Sequence, residues 1–371
     1  MHLILSALET QSGDINITTQ NGAIDFLGNV TTQGGNITAE ATDQNSITAN
    51  IDSNGGNVAL TGGGQNFWDT GVYIRVGSEI SSHNGDVNLT GQNTKVAING
   101  KVYAGNGNIQ ADGDRIEFYG HGTLQGENVN LQSNRNISQN AQSKIIASTL
   151  SGSTNFSALL IGQNEVKAIA DFNTGSINDN GGFTLVDVDG FDIAGTVSTL
   201  GGDVLLKTES TAFNQSIDVL ASGSIVSGGG NITLDSNGTA GGFTTVAGLV
   251  DASTGGVTVS ARQLKLNGLS NVNANQLDIS AGLVTQGVNS IITANILTGT
   301  TNAGAFFDGV NNDIATLGNF TTGAATYSNG QFRLVDNNGL NINGAISTSG
   351  TDKNLAHGDG SINIDSQGTT W

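Results

Sequence analysis

Two groups of side chains carry the residue types that a reaction or a ligand would need. The first is the acidic run VDVDGFD…GGD, with Asp187, Asp189, Asp192 and Asp203. Carboxylates two residues apart on a strand share a face, so Asp187 and Asp189 could hold a cation such as Ca2+ between them. The competing reading is a solvated strand edge whose charges discourage edge pairing. The second group is aromatic: Phe67 and Trp68 in GGGQNFWDTG (residues 62–71), with Tyr73 just beyond. Exposed rings stack on sugar faces while their polar tips find partners. The competing reading folds the two rings back as a lid over the strands.

Catalytic signatures are scarce. There is no GxSxG, HExxH, complete phosphate-binding loop or dinucleotide fingerprint. The four histidines, His2, His83, His121 and His357, are scattered, so a Ser-His-Asp triad would have to assemble in space. No catalytic residue is assigned, and the chain reads as a non-enzyme. No nonapeptide calcium repeat occurs, so no cofactor is implied beyond Ca2+ at Asp187 and Asp189.

These residues must be positioned by something repetitive. Proline is absent from 371 residues, whereas glycine numbers 55. Proline cannot donate to a strand ladder, so a chain built of paired strands excludes it. Glycine sits between short apolar alternations, where the backbone is expected to turn with positive φ. Charged residues are only 12%, yet 36% of the chain is apolar and regularly alternating, which opposes disorder. The net charge of −19 repels phosphate backbones and anionic membranes, so nucleic acid is excluded as a partner. There is no cysteine and no apolar run of transmembrane length. The opening MHLILSALETQSG lacks a basic flank and a full apolar core, so it does not read as a signal peptide.

Across residues 13–131 a Gly-(Asn/Asp)-apolar-x-apolar corner recurs. Its polar residues are Asp14, Asn36, Asn57, Asp86, Asn108 and Asn128, at steps of 22, 21, 29, 22 and 20. Each step holds three short period-2 segments. Such a unit buries its apolar side only by stacking on its neighbours. The expected fold is therefore all-β: a parallel β-helix with three short strands per coil of 20–22 residues. Roughly 17 coils about 4.8 Å apart would make a single continuous solenoid about 80 Å long. The inward set is Ile15, Ile17, Ile24, Phe26, Val30, Ile37, Ile47, Ile51, Val58 and Leu60. Asparagines at equivalent corners are expected to stack in side-chain ladders. The 29-residue step holds residues 62–71 as a loop leaving the coil.

Two longer stretches, 136–200 and 283–349, are copies of one another, separated by short coils at 201–282. Gln139 aligns with Gln286 at an offset of 147, Phe172 with Phe320 at 148, and Leu185 with Leu334 at 149. Apolar bulk holds at Leu160/Phe307, Val166/Ile314, Ile169/Leu317 and Phe172/Phe320. Charge does not: Glu165 is set against Asn312 and Lys167 against Ala315. The copy of the acidic run, VDNNGLN…GTD, keeps an acid at the Asp187 position and, loosely, at Asp352. The duplication therefore reads as a coil-building unit and not as a doubled active site.

The GG(Asn/Asp)-apolar-x-apolar corner, the NISQ…IIASTLSGS stretch at 136–153 and the FTLVD…GTVST stretch at 183–199 resemble the repeat region of filamentous-haemagglutinin-like bacterial exoproteins. The resemblance covers nearly the whole chain. It implies a right-handed β-helical shaft, secreted by a two-partner or autotransporter route through an outer-membrane partner and displayed on the bacterial cell surface. It also implies a role in cell adhesion or biofilm, with glycans, proteins or biofilm matrix as partners. On that reading the chain is a segment of a longer exported protein. The rivals are a polysaccharide-degrading β-helix lyase or hydrolase, and a carbohydrate-binding module acting through Phe67 and Trp68.

Overall fold

The computed structural model describes residues 2–65, 69–209, 215–238, 241–323, 330–348 and 360–367. Every ladder between its strands is parallel, and no helix occurs among the described residues. The strands stack in about 15 coils, a parallel β-solenoid. The count falls below the sequence expectation because several coils exceed 21 residues: Thr196 pairs with Ser224, a step of 28, and Phe332 with Ile362, a step of 30. The contacts divide the chain into two compact units, Met1–Asp187 and Val188–Trp371.

In the first unit each early coil has three strands. One coil is Ile24–Phe26, Val30–Thr31 and Ile37–Ala41; the next is Asn45–Ile47, Ile51–Asp52 and Val58–Gly62. The third ladder pairs Ile15 with Ile37, Ile37 with Val58, Val58 with Val87, Val87 with Ile109 and Ile109 with Val129. These register steps are 22, 21, 29, 22 and 20, the spacing of the sequence corners. The ten residues assigned inward are all buried. Later the corner between second and third strands straightens, giving single strands Thr123–Ser133 and Lys144–Thr154, and in Ala158–Thr174 the first-ladder strand joins them as well.

The corners explain the glycines, and partly correct the expectation of positive φ. In the pairs Gly34–Gly35, Gly55–Gly56 and Gly201–Gly202 only the first residue takes it: Gly55 has φ 115°. The second is glycine for a different reason. A Cβ on Gly56 would lie 2.3 Å from the carbonyl oxygen of Gly35, and one on Gly85 2.2 Å from that of Gly56. Only a residue without a side chain lets one coil settle onto the next here. Beside it runs the polar ladder expected from sequence. The Asn36 N–H donates to Asp14 Oδ1 (2.7 Å), Asn57 to Asn36 (2.9 Å), Asp86 to Asn57 (2.8 Å) and Asn108 to Asp86 (2.8 Å). Inside the corner, the hydroxyls of Thr32, Ser53 and Ser82 each donate to the glycine carbonyl three residues on.

The core of the duplicated stretch is polar as well as apolar. Gln139 and Asn164 exchange two amide hydrogen bonds, 2.8 and 3.0 Å. Asn164 also accepts from the Ile145 N–H (2.9 Å) and donates to the Val186 carbonyl (3.0 Å). The fully buried Asp187 accepts from the Val166 N–H (2.8 Å). In the second unit Gln286, Asn312 and Asp336 repeat every one of these bonds, to Ile292, Val335 and Ile314. The register therefore sets Asn164, not Glu165, against Asn312, and Glu165 against Asp313. A polar group was duplicated together with the apolar bulk. Phe172 packs on Phe183 at 4.7 Å and Phe320 on Phe332 at 5.0 Å, each over a glycine, Gly152 or Gly299.

Asn164→Ala would orphan the Gln139 amide, the Ile145 N–H and the Val186 carbonyl, at about 1–3 kcal/mol for each buried group. The Asn164→Ala and Asn312→Ala proteins should therefore each show a clearly lowered unfolding midpoint by circular dichroism, of similar size. Midpoints unchanged from wild type would contradict the stack.

Candidate functional site

Outward residues of the first ladder stand in rows, because the coils are in register. Ser46, Tyr73, Ala97, Glu117 and Ser138 are successive Cα partners, and Lys95 partners Arg115. Long side chains from adjacent coils therefore meet on one flank of the first unit. The Lys95 ammonium donates to Glu117 Oε2 (3.0 Å) and to the Tyr119 hydroxyl (3.0 Å), and lies 5.4 Å from the Tyr119 ring centroid. The Tyr119 hydroxyl donates to Glu117, and the Arg115 guanidinium is 3.8 Å from the same carboxylate. Two coils earlier in the chain, Arg75 lies 4.7 Å over the half-buried Tyr73 ring and donates through Nε to Ser46 (3.0 Å). The flank thus offers two tyrosines, three cations and one carboxylate.

The electrostatics of this cluster oppose proton transfer at neutral pH. Burial pushes the Glu117 carboxyl up, but hydrogen bonds from Tyr119 and Lys95 and the charges of Lys95 and Arg115 outweigh it, so its pKa falls. Burial pulls Lys95 down, but its bonds to Tyr119 and Glu117 prevail and its pKa rises. Burial and the bond to Glu117 push Tyr119 up. Each group is held further from neutrality, whereas a general acid or base works best near the operating pH. The cluster can present fixed charges and ring edges to a polar ligand.

The residues singled out from sequence separate in the structure. Phe67 and Trp68 lie outside the described residues. Tyr73 lies on the flank just described, beneath Arg75. Asp187 sits on no solvated edge and shares no face with Asp189: Asp187 is fully buried in the polar stack, whereas Asp189 is exposed. The alternation that would have placed both on one side breaks where the strand Phe183–Asp187 ends. In the second unit Asp203 caps a corner, accepting from the Asn231 N–H at 2.7 Å. Asp192 faces Asp218 across adjacent strands, and Ser216 donates to Asp218. Burial and then the Asp218 charge push Asp192 up. Among the described residues no group of three or more His, Cys, Asp and Glu is placed to hold a metal ion. Sequence reading missed the Lys95–Glu117–Tyr119 cluster. Its signal was the step of 20 between Lys95 and Arg115, which brings separate basic residues into one row.

The chain matches no protein-family model, no curated protein and no solved structure.

Two substitutions should respond to pH in opposite ways. Glu117 has a lowered pKa, so its stabilisation is present above the ordinary value of 4.5 and is lost as pH falls through the folded value. Glu117→Gln should lower the melting temperature at pH 7, and that deficit should vanish in strong acid. Asp192 has a raised pKa, so its favourable contribution is present below 3.8 and is lost as pH rises through the folded value. Asp192→Asn should raise the melting temperature at pH 7 and have little effect in strong acid. Thermal scans across this pH range check both signs.

Proposed function

We infer that this chain is a non-catalytic, repeat-built segment of a secreted, surface-displayed bacterial adhesin, whose coils present side chains for attachment to glycans, proteins or biofilm matrix. The observation that carries this reading is what the duplication keeps and what it discards. The buried Gln–Asn–Asp stack and the stacked phenylalanines persist in both copies. The exposed ion pairs do not. Lys144 pairs with Glu165 in the first copy, but Ile291 and Asp313 hold those places in the second. Arg333 pairs with Asp308 in the second copy, and the aligned positions of the first are Thr184 and Ile161. Selection for a reaction would hold outward residues in place; selection for a stacked support holds inward ones.

Further support comes from the flank cluster, in which Lys95 and Glu117 keep fixed charges at neutral pH. The corner and module patterns that resemble haemagglutinin-like exoproteins point the same way, as does the absence of proline from a chain of in-register strands. Adhesion through many weak contacts suits a repetitive surface, because linked sites raise avidity without any single tight one.

The parallel solenoid is equally compatible with a polysaccharide-degrading enzyme, so the decisive assay measures both retention and turnover. Beads coated with the protein should be retained on mucin, cell layers or polysaccharide films. The same protein in solution should release no reducing ends from those polysaccharides. Sustained release of reducing ends, lost on removing a defined side chain, would replace the adhesive reading with the enzymatic one.

A further inference from the structure

Successive corners between the first and second ladders of the first unit differ in length. Four residues, 75–78, join the strands Thr70–Ile74 and Glu79–Ser81. Two residues, 99–100, join Lys95–Ile98 and Lys101–Tyr103. Four residues, 119–122, join Arg115–Phe118 and Thr123–Ser133. A short corner between two long ones is recessed, and the recess is a notch of about 240 Å3. Its lining includes Asn50, Val76, Glu79, Asn99, Lys101 and His121. This is smaller than the roughly 300–1,000 Å3 of sites for drug-sized ligands and suits a single sugar ring.

The notch is built firmly. A Cβ on Gly100 would come within 2.5 Å of the Arg75 and Ser78 carbonyl oxygens, so the floor stays free of side chains. One wall is closed by the Ser78 hydroxyl on the Arg75 carbonyl (2.7 Å), the other by the Gly122 N–H on the Tyr119 carbonyl (2.9 Å). Such turns hold their shape before a ligand arrives, which lowers the entropic cost of binding.

The lining has the chemistry of an acidic sugar site. Val76 is 72% exposed and offers an apolar wall to the C–H face of a ring. Asn50, whose Oδ1 accepts from the Glu79 N–H at 3.0 Å, lines the notch with its amide nitrogen available as a donor to ligand hydroxyls, and Asn99 lines it with its Oδ1 buried. Lys101 is exposed and makes no ion pair with any described residue, so its ammonium is available to a ligand carboxylate in competition with Glu79, its register partner on the adjacent strand, which also lines the notch. His121 adds a second donor on the opposite wall. The charge distribution agrees. Six of the twelve Lys and Arg residues (Arg75, Lys95, Lys101, Arg115, Arg135, Lys144) fall within residues 75–144, whereas residues 1–74 contain none. In a chain of net charge −19, these coils are where an anion meets the least repulsion.

We propose that this notch binds one carboxylated monosaccharide unit of an acidic polysaccharide, with Lys101 and His121 on the carboxylate and Val76 against the ring. The site stands apart from the adhesive reading: a protein that failed every retention assay could still bind such a unit, and the converse also holds.

Titration of the full chain with tetragalacturonate, followed by calorimetry or ligand-observed NMR, tests it. Tetragalactose and a sulfated galactose tetramer serve as comparison probes. Saturable binding of the tetragalacturonate is expected, at least about tenfold stronger than for the neutral tetramer, since loss of one charged contact costs at least ~1.4 kcal/mol. Lys101→Ala and Val76→Ser should each weaken binding severalfold with an unchanged circular dichroism spectrum. Lys265→Ala, which removes a cation from the second unit, should leave it unchanged. No binding of the acidic tetramer, equal binding of the neutral one, preference for the sulfated one, or equal weakening by Lys265→Ala would each overturn the proposal. Failure of the Lys101 or Val76 variants to fold would move the test to Lys101→Gln and Val76→Thr.

Discussion

The closest approach between successive main chains governs this structure. Parallel strands hydrogen-bond in register only if each coil lies directly against the one before it. At the Gly-(Asn/Asp) corners that requires the carbonyl of one glycine to occupy the space where the next would carry its Cβ. Gly35, Gly56, Gly85 and Gly107 each stand over the glycine of the preceding coil, with room for no methyl group. Once that contact is made, Asn and Asp beside it fall into a ladder that satisfies the next coil's N–H, and Ser or Thr closes the turn from within. The strands on either side then inherit their register from the corner.

Where the corner straightens, another device takes over. The long strands that follow residue 123 leave main-chain donors at Ile145, Gly162 and Val166 facing inward. Gln139, Asn164 and Asp187 accept from them. A buried N–H without a partner is costly, so side chains are recruited where the ladder cannot serve. The same solution appears at Gln286, Asn312 and Asp336, which shows that the stack and the irregular register were inherited as one unit. Fully satisfied, such a network adds specificity to a core whose apolar side chains alone would tolerate slippage.

The flanks are free of these demands, and there the two copies diverge. Regular stacking turns any outward substitution into part of a row, so a few basic residues at the right steps create a local face unlike the rest of an acidic chain. Lys95, Arg115, Glu117 and Tyr119 form such a face, and the unequal corner lengths beside it form the notch. Both arise from variation laid over a constant scaffold, and this is how a support can acquire a binding surface without altering its core.

Much of the fold was legible in the sequence because the solenoid is nearly one-dimensional. The steps of 22, 21, 29, 22 and 20 were already the register, the alternation already named Ile24, Phe26, Ile37 and Leu60 as core, and the corner asparagines already implied their ladder. The duplication showed through its offsets, although its polar heart did not: an asparagine at an inward position looks no different in sequence from one at a corner. The site was far less legible. Asp187 and Asp189 looked like neighbours on one face, and only the end of the strand separated a buried acceptor from an exposed carboxylate. Lys95, Glu117 and Tyr119 are distant or unremarkable in sequence, and the notch depends on the difference between a two-residue corner and its four-residue neighbours. Local pattern determines which way a residue points and which coil it belongs to. Which side chains meet across coils depends on the exact register and corner length, and those exist only once the coils are stacked.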